Sequence, residues 1–255
     1  MFKIVSVGWD CVRFVEWTLK SIEAQTVQDW EVWITIDPSD DGTAEKVAEW
    51  CDARDDRWNY QINTERLFAV RNQVEAIENL NPTDDDIIVW LDVDGDKFAH
   101  PRVLEHLLDY YAGDTLLTYG SFTPVPANPG WEQARDFPIS VVERNDFRPH
   151  IANVHHCFNH LRTMKGVVFR NIPYSHYHWS DRPDVWYDGG TDYVFMTAGL
   201  ELVGGRYRFV EEVLCLYNNA NPNADYLKRG TESSACTFDY LKRPPLSPMK
   251  EIPRG

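Results

Sequence analysis

The chain has 255 residues, of which 43% are hydrophobic and 25% charged, enough for one α/β domain whose core needs no disulfide or metal support. No apolar run approaches the roughly 18 residues of a membrane-spanning helix, and the N-terminus has no signal-peptide pattern, so we expect a soluble protein. The formal net charge of −15 disfavours nucleic acid as a general partner, because phosphate binding relies on Lys and Arg.

Cysteine usage indicates the compartment. The five cysteines are widely spaced and form no Cys-x-x-Cys pair. This spacing argues against a disulfide framework and against a zinc knuckle. We therefore expect a reducing cytoplasm, which is the host cytoplasm if the gene is viral.

Strands and helices alternate in the first part of the chain. The β-rich segments 3–8, 30–36 and 58–63 are each followed by apolar residues three or four positions apart, which is the spacing of one helix face. A fourth strand, 86–92, is nearly all apolar, as expected at the buried centre of a sheet. This order predicts an α/β fold with a Rossmann-like, mostly parallel sheet flanked by helices.

The later part of the chain is less regular. We predict a helix over 101–111, a strand over 115–120, a helix over 192–203 and a last strand over 210–218. Residues 132–190 show no clean period.

An acidic cluster, LDVDGD, follows the fourth strand. Asp92 and Asp94 are two residues apart and point the same way on an extended chain, and Gly95 permits a tight turn behind them. Two convergent carboxylates make a site for Mg²⁺ or Mn²⁺, completed by water and phosphate oxygens. The alternative is a solvated acidic loop, but ligands of open α/β sheets bind beyond the carboxyl ends of the strands.

A second acidic turn follows the second strand. Asp37 stands where that strand stops, and an acid at this place can accept hydrogen bonds from a nucleotide base or ribose. For Asp40, Asp41 and Thr43 we expect ordinary capping of the next helix.

Together these segments resemble the inverting family 2 glycosyltransferases of the GT-A fold, over about the first 125 residues. SVGWDCVRFVEWTLKSIEAQTVQDWEVWITIDPSDDGT reproduces the opening order of that family, AVRNQVEAI is similar to its Ala-Arg-Asn helix start, and LDVDGD is similar to its metal and ribose motif. The resemblance implies a metal-dependent transfer with inversion from a nucleotide diphosphate sugar, with UDP as the default nucleotide.

The resemblance also implies roles for residues. Asp94 would be the direct metal ligand, with Mn²⁺ or Mg²⁺ as the cofactor, and Asp92 would lie towards the donor ribose. The donor-binding residues it implies are Val7, Asp37, Arg71, Asn72, Asp92 and Val93. No histidine follows His178 to act as the additional metal ligand of some related enzymes. The candidates for a third protein ligand are therefore Asn218, Asn221 and Asp225, with water as the alternative.

Asp192 matches the catalytic base of the family, which lies at the start of a helix after a variable acceptor region. GGTDYVFMTAGLELVGG has this layout, although Thr191 stands where the family more often has Glu. The alternative role for Asp192 is that of a helix cap.

The segment 144–187 is rich in basic and aromatic residues, and six Lys/Arg against two acids between Arg144 and Arg182 keep a modified nucleic acid open as the acceptor, beside a saccharide or a protein. Zinc binding by His155, His156 and His160 is disfavoured, because no paired cysteines or carboxylate complete a tetrahedral site.

Aromatic faces stack on sugars and bases, so we predict an acceptor wall. Its members would be His176, His178, Trp179, Trp186 and Tyr187.

We accordingly divide one GT-A domain into a nucleotide-sugar-binding half, 1–125, an acceptor-binding half with the base, 126–243, and a Pro-rich tail, 244–255, expected to be extended or mobile. Two other functions stay open. A non-catalytic sugar-binding module would keep the pocket without the chemistry. A nucleotidyltransferase is disfavoured because the first strand is not followed by a Gly-rich, basic phosphate loop.

Overall fold

A computed structural model of the chain describes residues 1–130, 133–154 and 158–250. The strands in these ranges are β1 (Phe2–Gly8), β2 (Trp30–Ile36), β3 (Trp58–Ile62), β4 (Ile87–Trp90), β5 (Lys97–Phe98), β6 (Leu117–Val125), β7 (Asn159–Lys165) and β8 (Tyr207–Asn218). The helices are α1 (Val15–Glu23), α2 (Thr43–Asp52), α3 (Phe68–Leu80), α4 (Val103–Tyr110), α5 (Ile139–Arg144), α6 (Phe147–Asn153), α7 (Gly166–Arg170), α8 (Thr191–Val203), α9 (Asp225–Lys228) and α10 (Gly230–Leu241).

The strands form one mixed sheet in the order β3-β2-β1-β4-β7-β6-β8-β5. The first four neighbours in this order run parallel, and β6 and β8 are also parallel. β7 runs antiparallel to β4 on one side and to β6 on the other, with Arg162 opposite Trp90. Although β7 comes late in the chain, it lies at the centre of the sheet, beside the strand that precedes the acidic cluster.

Both faces of the sheet are covered. Alternate side chains of a strand point to opposite faces, and Ile4 and Val5 of β1 accordingly belong to two different buried clusters. One cluster includes residues of α3 and α8, and the other includes residues of α1, α2 and α4. The prediction of strands alternating with helices around a mostly parallel sheet is confirmed. Trp30 and Trp90 are buried core residues, as expected for tryptophans on strands.

The segment 132–190 contains elements that the sequence did not predict. In its described part it forms α5, α6, β7, α7 and a 3-10 helix, Tyr174–Tyr177. These elements are short, so few of them repeat a hydrophobic period long enough to be recognised. In β7, the side chains of Arg162 and His160 are largely buried, which is unusual for a strand at the centre of a sheet.

Among the described residues, no helix combines the length and the apolar character needed to cross a membrane. The four described cysteines, Cys11, Cys51, Cys215 and Cys236, are buried free thiols. Cys157 lies outside the described residues.

A buried ion pair fixes α8 against α6 and the C-terminal segment. Arg148 and Glu201 are joined by two charge-assisted hydrogen bonds of 2.8 and 2.7 Å, and both side chains are almost fully buried. Arg148 also donates to the carbonyl of Tyr240, and Glu201 accepts from the backbone N–H of Leu246. The described tail therefore has no regular secondary structure but is attached to the core.

We expect Arg148→Met to lower the free energy of unfolding by about 3–5 kcal/mol, because it leaves the Glu201 carboxylate buried without its cation. Denaturant unfolding measures this loss. The matched control is Arg144→Met, which removes an exposed Arg144–Asp146 pair and should cost about 0–1 kcal/mol. Equal losses in the two variants would contradict a special role for the buried pair.

Candidate active site

A cleft opens where the carboxyl ends of β1, β2 and β4 meet the start of α8. Val7, Asp37, Asp92, Asp94 and Asp192 all line it. These residues come from four separate segments of the chain, and the parallel strand order brings their ends to the same edge. The structure thus gathers into one cleft the acids that the sequence analysis selected from distant motifs.

The acidic loop after β4 is held in place by the end of β8. Asn221 donates from Nδ2 to Oδ2 of Asp94 at 2.9 Å, and Asn218 donates from Nδ2 to the Asp94 carbonyl at 2.6 Å. Gly95 adopts a φ of +108°, and a Cβ there would lie 2.5 Å from Nδ2 of Asn218. The loop therefore requires glycine both for its backbone conformation and for the close approach of Asn218. Of the proposed third ligands, Asn218 and Asn221 contact Asp94, and the side chain of Asp225 lies outside the described structure.

Asp96 and His160 extend the acidic loop into the protein and were missed as site residues. Asp96 accepts from the Asn218 N–H at 2.8 Å, and its Oδ2 lies 3.8 Å from Nδ1 of His160. Burial, and then the neighbouring Asp94 carboxylate, raise the pKa of Asp96 well above its usual range. Burial lowers the pKa of His160, which keeps its imidazole neutral and able to bind a metal. With Cys215, these side chains form a compact group of potential metal ligands.

Asp37 organises the wall of the cleft beside β2. Its Oδ1 accepts from Asn63, Asn72 and the Leu67 N–H at 2.9–3.1 Å, and its Oδ2 accepts from the Phe68 N–H at 3.0 Å. Phe68 has a left-handed φ of 62°, which is unfavourable for a side chain of this kind. The Asp37 carboxylate thus holds a strained turn that presents Phe68 to the cleft.

Asp192 forms an ion pair with Arg162 of β7. Gly190 is the residue that precedes α8, and Asp192 lies in the first turn of this helix rather than at the cap position. The Asp192 side chain is 42% exposed, whereas that of Arg162 is only 6% exposed. The carboxylate therefore faces the open cleft while it is held from behind by a buried guanidinium.

The turn before Asp192 packs tightly against α10. The Gly190 N–H donates to Oγ of Ser233 at 3.1 Å. A Cβ on Gly189 would lie 2.8 Å from Cα of Ser233, and Gly190 has a φ of +69°. The Gly-Gly sequence allows this contact, so α10, which the sequence analysis did not predict, supports the start of α8.

Two predicted donor-binding residues lie away from the cleft lining. Arg71 pairs with Glu75 one helical turn later, at 2.7 Å, and Val93 is fully buried in the core. Asn72, next to Arg71, does line the cleft. Arg66 also lines the cleft, and its guanidinium lies 3.7 Å from the ring centroid of Trp9. Arg71 and Asn72 differ in this way because adjacent residues of a helix point about 100° apart.

The predicted acceptor wall does not line the cleft either. His176, His178 and Tyr187 are buried, and Trp179 and Trp186 pack against the hydrophobic core. The His178 and Trp186 rings are tilted by 45° with centroids 4.4 Å apart, and Nδ1 of His176 lies 3.1 Å from Oη of Tyr240. The reason is that these aromatic rings, which are close to the start of α8 in sequence, complete the hydrophobic core. The aromatic residues that do line the cleft are Trp9, Phe68, Tyr193 and Tyr217.

The basic segment is neutralised in the folded protein. Each of its six cations pairs with a carboxylate, and four of these partners lie elsewhere in the chain. The pairs are Arg144–Asp146, Arg148–Glu201, Arg162–Asp192, Lys165–Asp85, Arg170–Asp84 and Arg182–Asp181. The local excess of positive charge, which kept a nucleic acid acceptor open, therefore disappears on folding. The zinc site that the sequence disfavours would involve His155, His156 and His160. His155 and His156 lie outside the described residues, and His160 lies on a strand rather than on a helix.

Solved structures share this architecture. A mycobacterial protein superposes with a TM-score of 0.60 at 13% identity, covering 96% of this chain and 75% of that one. S. aureus TarS 1-349 gives 0.59 at 11% identity, with 85% and 60% covered. Mannosyltransferase PcManGT from Pyrobaculum calidifontis, in complex with GDP-Man and Mn²⁺, gives 0.58 at 16% identity, with 94% and 62% covered. The fold is thus the GT-A fold of glycosyltransferases.

Residues 11–172, more than half of the chain, match the model of the family described as glycosyl transferase family 2. The chain belongs to this family. No match was found among curated proteins. The chain spans about 60% of the length of TarS 1-349.

Proposed function

We propose that this glycosyltransferase moves a sugar from a nucleotide diphosphate sugar, with UDP as the default nucleotide, to an acceptor hydroxyl in a metal-dependent reaction with inversion. The observation that carries the proposal is the presence of Asp94 and Asp192 in one cleft, on different structural elements. A metal-binding acid and a general base on separate walls are what a single in-line displacement needs. Similar structures contain UDP-GlcNAc or GDP-Man with Mn²⁺, which supports a nucleotide-sugar donor.

The acidic loop fits a hard divalent cation. Asp92, Asp94 and Asp96 offer carboxylate oxygens to the same cleft, and Mg²⁺ and Mn²⁺ prefer such ligands together with water and phosphate oxygens. His160 lies next to Asp96 and adds an imidazole that suits Mn²⁺ better than Mg²⁺. Asp94 would hold the ion, which supplies positive charge to the departing nucleoside diphosphate.

On the other wall, Asp192 removes the proton of the acceptor hydroxyl as that oxygen attacks the anomeric carbon. The Arg162 pair occupies one side of the carboxylate and holds the side chain in the cleft. Because the six cations of the basic segment are paired, we propose a saccharide or protein hydroxyl as the acceptor rather than a nucleic acid.

The first test is a panel of nucleotide sugars with and without Mn²⁺, read by thermal shift and by donor hydrolysis. One nucleotide class should raise the melting temperature in a metal-dependent way, because a ligand that binds the folded state stabilises it. Asp192→Asn should abolish transfer while keeping this shift, and Asp94→Asn should weaken the metal-dependent shift itself. Asp184→Asn, at an exposed nearby acid, is the control.

Stabilisation without hydrolysis or transfer in the wild type would favour the binding-module alternative. Wild-type turnover in Asp192→Asn would remove Asp192 from the role of base.

The donor side can be tested with a matched pair of arginines. We propose that Arg66, placed between the Trp9 and Phe68 rings, faces the donor diphosphate, whereas Arg71 pairs with Glu75 outside the cleft. Arg66→Ala should raise the donor KM about tenfold or more, consistent with the roughly 1.5–3 kcal/mol of a hydrogen bond to a charged group. Arg71→Ala should leave the donor KM within about twofold. The reverse ranking in initial-rate kinetics would restore the prediction made from the sequence.

Arg162 is a positioning residue that acts through Asp192. Arg162→Lys keeps the buried charge but not the planar geometry of the guanidinium, so kcat should fall about 10–100-fold, as expected when a catalytic group moves by about 1 Å. The donor KM should change little. Lys165→Met, on the same strand, is the control, since its partner Asp85 is exposed. A raised donor KM with an unchanged kcat would show that Arg162 contacts the donor instead.

A further inference from the structure

A second cluster of metal-ligating side chains lies outside the cleft lining. His100 follows β5, His106 belongs to α4 and Glu212 belongs to β8. One imidazole nitrogen from each histidine and a carboxylate oxygen lie within 4.8 Å of one another. The three side chains are 34%, 26% and 40% exposed, so a hydrated ion from solvent can reach them.

From this cluster we infer a binding site for a transition-metal dication of the Zn²⁺ type, held by His100, His106 and Glu212. Zn²⁺ binds imidazole nitrogen and carboxylate oxygen at about 2.0–2.2 Å, which places two ligands of a tetrahedral shell roughly 3.4 Å apart. The Glu212 oxygens lie 2.8 Å from Nδ1 of His106 and 3.6 Å from Nε2 of His100. These separations bracket the required value, so small rotations of the side chains suffice, and water completes the shell.

The backbone that carries the two histidines is fixed. The carbonyl of His100 accepts from Nε2 of Gln25 at 3.0 Å, and Oε1 of Gln25 accepts from the Leu104 N–H at 3.1 Å. The adjacent Ala99 N–H donates to the carbonyl of Leu214 on β8. The three ligands are therefore held near one another before any metal arrives, which reduces the ordering entropy that binding must overcome.

The charge around the cluster favours a cation. Glu105 compensates the nearby positive charge of Arg102 in an ion pair of 3.0 Å, and Asp109 lies close enough to raise the pKa of Arg102 as well. Two hydrogen bonds are given up on binding. The first joins Nδ1 of His106 and Oε2 of Glu212 at 2.8 Å, and the ion replaces it with a bond to each of these atoms. In the second, Nδ1 of His100 accepts from the Arg102 N–H at 3.2 Å, and metal binding through Nε2 moves the imidazole proton to Nδ1 and breaks this bond. The Arg102 N–H is exposed and can donate to water instead, so losing this hydrogen bond costs little free energy.

A metal at this site would tie together three elements at the edge of the sheet. β5 has only two residues paired with β8, and it follows directly after the acidic loop. The ion would thus hold the start of α4 and this short edge strand against β8. This role is structural and does not depend on the proposed reaction.

The test is equilibrium dialysis of the full chain against micromolar Zn²⁺, with millimolar Mg²⁺ present to occupy the carboxylates of the cleft, followed by metal analysis. The wild type should retain one more equivalent of Zn²⁺ than His100→Ala/His106→Ala. His150→Ala, which changes a histidine of α6 outside the cluster, is the matched control and should bind as the wild type does. Zn²⁺ should also raise the melting temperature of the wild type more than that of the double variant.

Glu212→Gln provides the second variant, because it keeps both imidazoles and removes only the charge. Its Zn²⁺ affinity at this site should fall at least about tenfold, with circular dichroism unchanged. Equal Zn²⁺ content in the wild type, the double variant and Glu212→Gln would overturn the inference and leave the cluster as hydrogen-bonded surface residues.

Discussion

The cleft depends on one buried guanidinium. Four carboxylates, those of Asp92, Asp94, Asp96 and Asp192, line the same cleft, where they repel one another. Arg162 pairs with Asp192 and interacts with the charges of Asp92 and Asp96, and burial lowers its own pKa against their opposing effect. Without this cation, the acids of the metal-binding loop and the proposed base would lose the buried charge that offsets their repulsion. Arg162 reaches the cleft from β7, the antiparallel strand between β4 and β6.

Different contacts support the two walls of the cleft. On one wall, Asp37 accepts hydrogen bonds from Asn63, Asn72 and the Phe68 N–H. These bonds shape the surface that we assign to the nucleotide sugar. On the other, the Gly189–Gly190 turn packs on α10 and sets the first turn of α8. Rigid elements thus position both groups of the proposed reaction, which is the arrangement that keeps reacting atoms in register.

Local charge in the sequence did not predict local charge in the structure. The segment 144–182 has a surplus of cations, yet Lys165 and Arg170 pair with Asp85 and Asp84, and Arg148 pairs with Glu201. These partners are 53 to 86 positions apart along the chain, and folding brings them into contact. The basic segment therefore offers little free positive charge to a phosphate backbone, and the whole chain has a formal net charge of −15, which is why we favour a saccharide or protein acceptor.

The sequence by itself determined the alternating strands and helices, the acidic loop and the helix start at Asp192, because hydrophobic periods and short motifs are local properties. It did not determine which side chains reach the cleft. Arg66, in the turn before α3, lines the cleft, whereas Arg71 pairs with Glu75. The aromatic residues near Asp192 belong to the core rather than to an acceptor wall. Arg162 and His160 could not be recognised, because a charged residue on a central strand is favourable only when partners from other elements surround it. Those partners are set by strand order, which only the tertiary structure decides.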